Sequence, residues 1–238
     1  MLLLGIDTST RRIGVVLADE HGMLGRVELG NTTGAAPPRH AETLAPAIEW
    51  CAEQCGVRLD QLSAVAVGVG PGMFTGLRVG VTTAKMLAQS LRIPVIPVAS
   101  LDLLAYPLRF AHGSLVVATI DARRSEIYWA IYRPVPGGVQ RESDYELSAP
   151  DELAAELVAR GEDAILCGDG ALRFPDVFAE HGRGVTIAGP AHASPSLTAL
   201  ADLARARYER EDFCEPLEVS PLYLRQSDAE IEWEQRAG

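Results

Sequence analysis

Lysine is almost missing from this chain. Of its 21 basic residues only Lys85 is a lysine, and 32 acidic residues outnumber them to leave a net charge of −11. An acidic chain grips phosphate backbones poorly, because that binding is driven by clustered cations and counterion release. Any nucleic acid is therefore expected to be held mainly by another subunit. Long apolar runs are also absent. Nothing approaches the ~18–20 consecutive residues of a membrane span, so no membrane role is expected. The opening run MLLLGID has no basic residue ahead of it and ends in Asp7, which reads as a buried strand in place of a signal peptide. Cysteine is scarce. Cys51 and Cys55 share a helix face, no second pair completes a zinc set, and with Cys167 and Cys214 they read as reduced thiols of a cytoplasmic protein.

Catalytic signatures are missing too. His21, His40, His112, His181 and His192 never fall two to a helical turn, and no H-x-x-x-H, H-E-x-x-H or G-x-S-x-G occurs. His40 with Glu42 reads as a surface or capping pair, and Asp169-Gly170 as a turn. The sequence assembles no nucleophile with its base and no metal set.

What is present is an ordered pattern that occurs twice. LLLGID, IGVVLA and MLGRVEL read as three strands, the 39–55 stretch as a helix stopped by Gly56, and AVAVGVG as a buried strand opening into a glycine-rich loop and a long helix. Pro46 is expected in or near the first turn of its helix. At an offset of 114, LVVATIDARRSEIYWAIY overlays LLLGIDTSTRRIGVVLA without a gap, bringing Asp121 onto Asp7. A third strand near 142–147, a helix capped by Ser148 and the strand AILCGDGA follow. The series reads as an internal duplication. It predicts an α/β fold of two lobes with mixed sheets flanked by helices: residues 1–104, residues 105–225, and a polar, acidic tail at 226–238.

Two turns invite a phosphate reading. In DTST, Asp7 with Thr8 and Ser9 has the chemistry to hold a hydrated Mg²⁺ and offer N–H groups to phosphate, and equally the chemistry of a plain hairpin turn. Asp121 is the symmetric candidate, and beside it Arg123 and Arg124 either face a phosphate or are solvated. The loop GPGMFTGLRVG has the composition of a phosphate loop without the Gly-Lys-Ser/Thr ending, and Thr75 is placed to cap the helix after it. A compact strand-to-helix corner is the alternative.

In that helix Arg78, Thr82, Lys85, Gln89 and Arg92 form one polar stripe, and nearly all else is apolar or small. Gly76, Gly80 and Ala84 recur every fourth residue, as in grooves that admit a neighbouring helix. Trp50 projects away from the apolar stripe of the earlier helix. Trp50, Gly76, Gly80, Ala84 and Leu87 are thus the candidate dimer-interface residues, set against internal packing with one scattered tryptophan.

GIDTST at 5–10, RHAETLAPAI at 39–48, AVAVGVGPGMFTGLRVGVTTAKMLA at 64–88, DARRSEIY at 121–128 and PLYLR at 221–225 resemble the TsaB (YeaZ) family. The likeness runs in order over nearly the whole chain, and GPGMFTGLRVG is its most specific part. It implies an actin-like (ASKHA, ribonuclease H-like) pair of lobes. It also implies a non-catalytic subunit of the machinery that makes threonylcarbamoyladenosine at adenosine 37 of tRNAs reading codons that begin with A. The implied partners are a paralogous TsaD-like catalytic subunit and a TsaE-like ATPase. A homodimer through a similar surface is possible, and tRNA is reached mainly through the complex. The paralogue's metal-binding histidine pair has no counterpart here, where Ala99 and Ser100 stand. No cofactor is then required by this chain, with ATP or ADP and Mg²⁺ left to the assembly. The alternatives are a stand-alone ATP-binding hydrolase or kinase using Asp7, Asp121 and the glycine turns, with Thr8 and Ser9 beside Asp7 as tentative nucleotide-binding residues, and a glycopeptidase.

Overall fold

The computed structural model describes residues 1–30, 39–181 and 184–225. The tail at 226–238, with Trp233, lies outside the described residues. The first sheet is built from β1 (Leu2–Asp7), β2 (Ile13–Asp19), β3 (Gly22–Leu29), β4 (Ala64–Gly70) and β5 (Val95–Ala99), in the order β3-β2-β1-β4-β5. β1 and β2 pair antiparallel, whereas β4 and β5 run parallel to β1. The near-continuous apolar runs of β1 and β4 require cover on both faces. On one face lie α1 (His40–Gln54) and α2 (Phe74–Leu91), with Leu44, Ile48, Val81 and Ala84 packed on Leu4, Ile6 and Val65.

After α3 (Ser100–Ala105) the plan repeats. The second sheet contains β6 (Leu115–Arg123), β7 (Glu126–Val135), β8 (Gly138–Arg141), β10 (Ala164–Cys167) and β11 (Val185–Ile187), in the order β8-β7-β6-β10-β11. The short β9 (Glu146–Ser148) pairs with β7. α4 (Pro150–Arg160) answers α1, while α5 (Asp169–Arg173) and α6 (Pro175–His181) stand where the first lobe has the single α2. The matching strand orders bear out the duplication.

The lobes exchange helices. The final helix, α7 (Leu197–Glu209), lays Leu197, Leu200 and Ala204 on Leu3, Val16, Ala66 and Val98 of the first sheet. α3 instead sends Leu101, Leu104 and Ala105 against Val116, Ala118 and Ile120 of the second. A division at 104/105 therefore describes the chain and not its packing.

Three local expectations are corrected. Pro46 lies in the second turn of α1, on its exposed side, where water can take the carbonyl that loses its N–H partner. α2 begins at Phe74 with Met73 as N-cap, so Thr75 is already inside the helix. α4 starts from Ala149 with Pro150 in its first turn, and Ser148 Oγ instead accepts a 2.9 Å bond from Trp129 Nε1.

Candidate functional site

The turn after β1 is sealed. Asp7 Oδ1 accepts from Ser9 N at 3.2 Å and Ser9 Oγ at 2.9 Å, and its Oδ2 accepts from Ser100 Oγ at 3.2 Å. Thr8 Oγ1 donates to Gly76 O at 2.8 Å, and Met73 N donates to Ser9 O at 2.7 Å. His40 Nε2 lies 3.2 Å from Thr10 O; a carbonyl only accepts, so that nitrogen carries the proton. Thr8 is 1% exposed and Ser9 0%. The glycine loop and the start of α2 lie on this turn so closely that a Cβ at Gly72 would meet Ser9 O, and one at Gly76 or Gly80 would meet Thr8. Burial pushes the Asp7 carboxyl up to about 6 against the opposing pull of the Ser9 and Ser100 bonds. The cavity beside it, lined by Asp7, Arg12, Glu28 and Ser194 among others, measures about 10 Å³, enough for one water. Thr8 Oγ1 is spent on the Gly76 carbonyl and Ser9 Oγ on the Asp7 carboxylate, both in a buried turn, which leaves neither hydroxyl open to a phosphate.

The same contacts correct the expected helix groove. Gly76, Gly80 and Ala84 are buried, and Ala84 packs into the first-lobe core. Their smallness lets α2 approach the Asp7 turn of the same chain, not a neighbouring subunit. Leu87 is half-buried beside that core. The polar stripe is real but half used. Lys85 Nζ donates to Val219 O at 2.8 Å and Leu217 O at 3.3 Å, and Arg78 donates to Tyr223 OH at 3.2 Å. Phe74 and Tyr223 stack at 4.9 Å. The C-terminal segment thus straps one flank of α2, then ties to the other lobe through Arg225, which bonds Ala122 O and pairs with Glu126. What α2 leaves open is its outer side, where Met86 is 66% exposed, next to an α1 carrying Trp50 at 55%. The sequence reading passed over Met86 because a wheel that is apolar all round does not say which apolar residues find cover.

The turn after β6 is the opposite case. Pairing continues past Asp121 to Arg123–Glu126, so the chain reverses in two residues, whereas the first hairpin's pairing stops at Asp7–Gly14. Arg123, Arg124 and Ser125 have φ of 63°, 53° and 59°, a left-handed run without glycine. A two-residue hairpin of this hand favours Asn-Gly, and side chains with a Cβ cost about 1 kcal/mol each there. Asp121 Oδ2 pairs with Arg173 at 2.7 Å and Arg123 at 3.3 Å, and its Oδ1 accepts from Arg123 N at 2.9 Å. Beneath it Asp169 Oδ1 accepts from Asp121 N at 2.9 Å, and burial lifts the Asp169 carboxyl to about 6. Asp7 ends β1, whereas Asp121 stands two residues before the end of β6, in the other sheet. Among the described residues no hydrogen bond or ion pair joins them, no helix is long and apolar enough to cross a membrane, and no cluster of histidine, cysteine or carboxylate side chains could hold a metal. All four cysteines are free thiols.

Two mixed sheets with one strand order, trading helices, define the two-lobed actin-like class of fold. A ROK hexokinase from Thermus thermophilus shares that fold alone, with a TM-score of 0.50 at 16% identity over 87% of this chain and all of that one. The family model described as TsaD, tRNA N6-adenosine threonylcarbamoyltransferase, matches residues 33–233. A tRNA threonylcarbamoyladenosine biosynthesis protein TsaB from Haemophilus influenzae is 33% identical over all of this chain and 98% of its own length. The structure of YeaZ from Pseudomonas aeruginosa superposes with a TM-score of 0.78 at 29% identity, covering 94% of this chain and 99% of that one. The chain belongs to the TsaB family, within the wider group that the TsaD model describes.

Proposed function

We propose that this chain is the non-catalytic scaffold and activator subunit of a complex that forms N6-threonylcarbamoyladenosine in tRNA. It docks on a TsaD-like catalytic subunit through the outer faces of α1 and α2. The carrying observation is the pair Trp50 and Met86, two large apolar side chains left in solvent on neighbouring helices while the small residues of α2 are spent inside the chain. An exposed indole beside a flexible thioether suits a desolvated anchor in a protein interface. The acidic side chains Glu42, Glu49 and Glu53 stand exposed on α1, so the fitting partner surface is basic around an apolar pocket. The sealed turn at Asp7 supports assigning the chemistry, and any ATP or ADP with Mg²⁺, to the other subunits. A TsaE-like ATPase joins the assembly in the cytoplasm, and a homodimer of this chain would compete for the same face.

The test is co-elution of the full chain with its TsaD-like partner, followed by a tRNA modification assay omitting each component in turn. Trp50→Glu and Met86→Glu should each abolish co-elution and modification while the variant's own unfolding curve stays unchanged. Co-elution that survives both substitutions, or modification without this chain, would overturn the reading.

A further inference from the structure

The four free thiols fall into two kinds. Cys167 Sγ donates to Leu104 O at 3.4 Å and Cys214 Sγ to Val95 O at 3.6 Å. Cys51 and Cys55 instead turn toward each other, the Cys55 thiol near enough to bond Cys51. One helical turn separates them, and both sulfurs face the same position of the edge strand β3. A Cβ at Gly25 would stand 2.5 Å from Cys55 Sγ and 3.9 Å from Cys51 Sγ, so the missing side chain there gives the pair its room. Cys51 is buried, whereas Cys55 is half-buried and caps the C-terminus of α1.

Their place on the helix carries a consequence. In an intact α-helix the Cβ atoms of residues four apart stand about 5–6 Å from each other, and a disulfide needs about 3.5–4.5 Å. Joining the two sulfurs therefore requires the last turn of α1 to open. It is held by bonds from Cys55 N to Cys51 O and from Gly56 N to Glu53 O, both 3.1 Å, after which the chain leaves the helix at Gly56 with φ of 65°. A terminal turn is the part of a helix that opens at least cost. Opening also uncovers Cys51, whose thiol burial pushes up to about 11. Trp50, the exposed anchor, precedes Cys51 in the chain and stands at the edge of the turn that must move.

We propose that Cys51 and Cys55 are a redox modification site, at which hydrogen peroxide closes a disulfide and so loosens docking at α1 and α2. The effect on docking rests on the proposed function; the dithiol chemistry does not. The Cys55 thiolate attacks one peroxide oxygen and the O–O bond breaks. The departing hydroxide takes up the proton that Cys55 gave up and becomes water. The Cys51 thiolate then attacks the sulfur of the Cys55 sulfenic acid, the S–O bond breaks, and a second hydroxide leaves as water with the Cys51 proton. Two thiols lose two electrons and one peroxide is reduced to two waters. A small dithiol reverses the step by exchange. A transient disulfide of this kind suits a reducing compartment, where redox-sensing bonds form and structural ones do not persist.

The experiment treats the reduced full chain with hydrogen peroxide and cleaves it at arginine, which leaves both cysteines in the one peptide 40–58. That peptide should lose two hydrogen atoms and its reaction with iodoacetamide, and regain both with dithiothreitol. Amide hydrogen exchange across residues 50–57 should quicken about tenfold in the oxidised chain. Co-elution with the TsaD-like partner should weaken about tenfold, as when one anchor is displaced, and return on reduction. Cys55→Ala should resist peroxide in all three readouts, and Cys51→Ala should stop at a sulfenic acid with co-elution intact. Cys214→Ala, at a half-buried thiol elsewhere, should respond as wild type does. Two reactive thiols after peroxide overturn the proposal, as does oxidation of Cys55 without a bond to Cys51. A closed Cys51–Cys55 disulfide with unaltered hydrogen exchange overturns it too. A reduced chain that never co-elutes, with the disulfide and the exchange response present, would fault the docking reading and support this one. Co-elution of the reduced chain that peroxide leaves intact would fault this one alone.

Discussion

The hairpin turns after β1 and β6 descend from one pattern and have reached opposite ends of what a turn can be. The first is polar by composition and buried, with the Thr8 hydroxyl spent on α2 and the Ser9 hydroxyl on Asp7. The second is strained, charged and open. The difference follows from what comes after β4 and β10. An 18-residue α2 bearing Gly76 and Gly80 can lie on the first turn, whereas the second lobe has only the five residues of α5 and the seven of α6 in that place. A turn's chemistry is thus decided by the helix over it as much as by its own residues.

The contrast can be broken most forcefully at Gly80. Gly80→Val would drive a side chain into Thr8, and urea unfolding should show a loss of about 3 kcal/mol or more. Gly80→Glu should disrupt the monomer for the same reason. An unchanged midpoint would mean that α2 does not seal the turn.

Protonation sharpens the contrast next. The Asp7 carboxyl sits near 6 in the fold against about 4 in an unfolded chain, so the folded state holds the extra proton between those values. That contribution to stability is complete below about pH 4 and is lost as pH rises through 6. Asp7→Asn should flatten that decline and gain about 2 kcal/mol at pH 8 relative to wild type. The gain is read from urea titrations across pH. Asp169, also lifted to about 6, should act with the same sign and add to it.

Relief of the second turn is smaller. Ser125→Gly, matching the observed φ of 59°, should stabilise the chain by about 1 kcal/mol in thermal unfolding. A loss would mean that the left-handed run is not strained. Trp50→Ala should move stability least, within about 0.5 kcal/mol, while co-elution with the partner falls sharply.

Much of the fold was legible. Strand periodicity, the repeat at an offset of 114 and Asp at both strand ends pointed to two mixed sheets, and the sheet orders match. Legibility failed where a residue's role depends on distant chain. Gly76, Gly80 and Ala84 have the spacing of a helix-docking groove, and nothing local says that Thr8, some seventy positions earlier, fills it. Ser148 reads as a cap until Trp129 claims its oxygen. Arg78 and Lys85 read only as part of a polar stripe until the strap at 217–223 gives them partners.

Local patterning set the strands, the helices, the acidic balance and the family, because hydrophobic period and charge are properties of neighbouring residues. Tertiary structure alone decided which aspartate turn is shut, which helix face stays wet and which sheet receives α7. Burial is a relation between segments far apart in the chain, and it is burial that makes a hydroxyl unavailable or a carboxyl hold its proton.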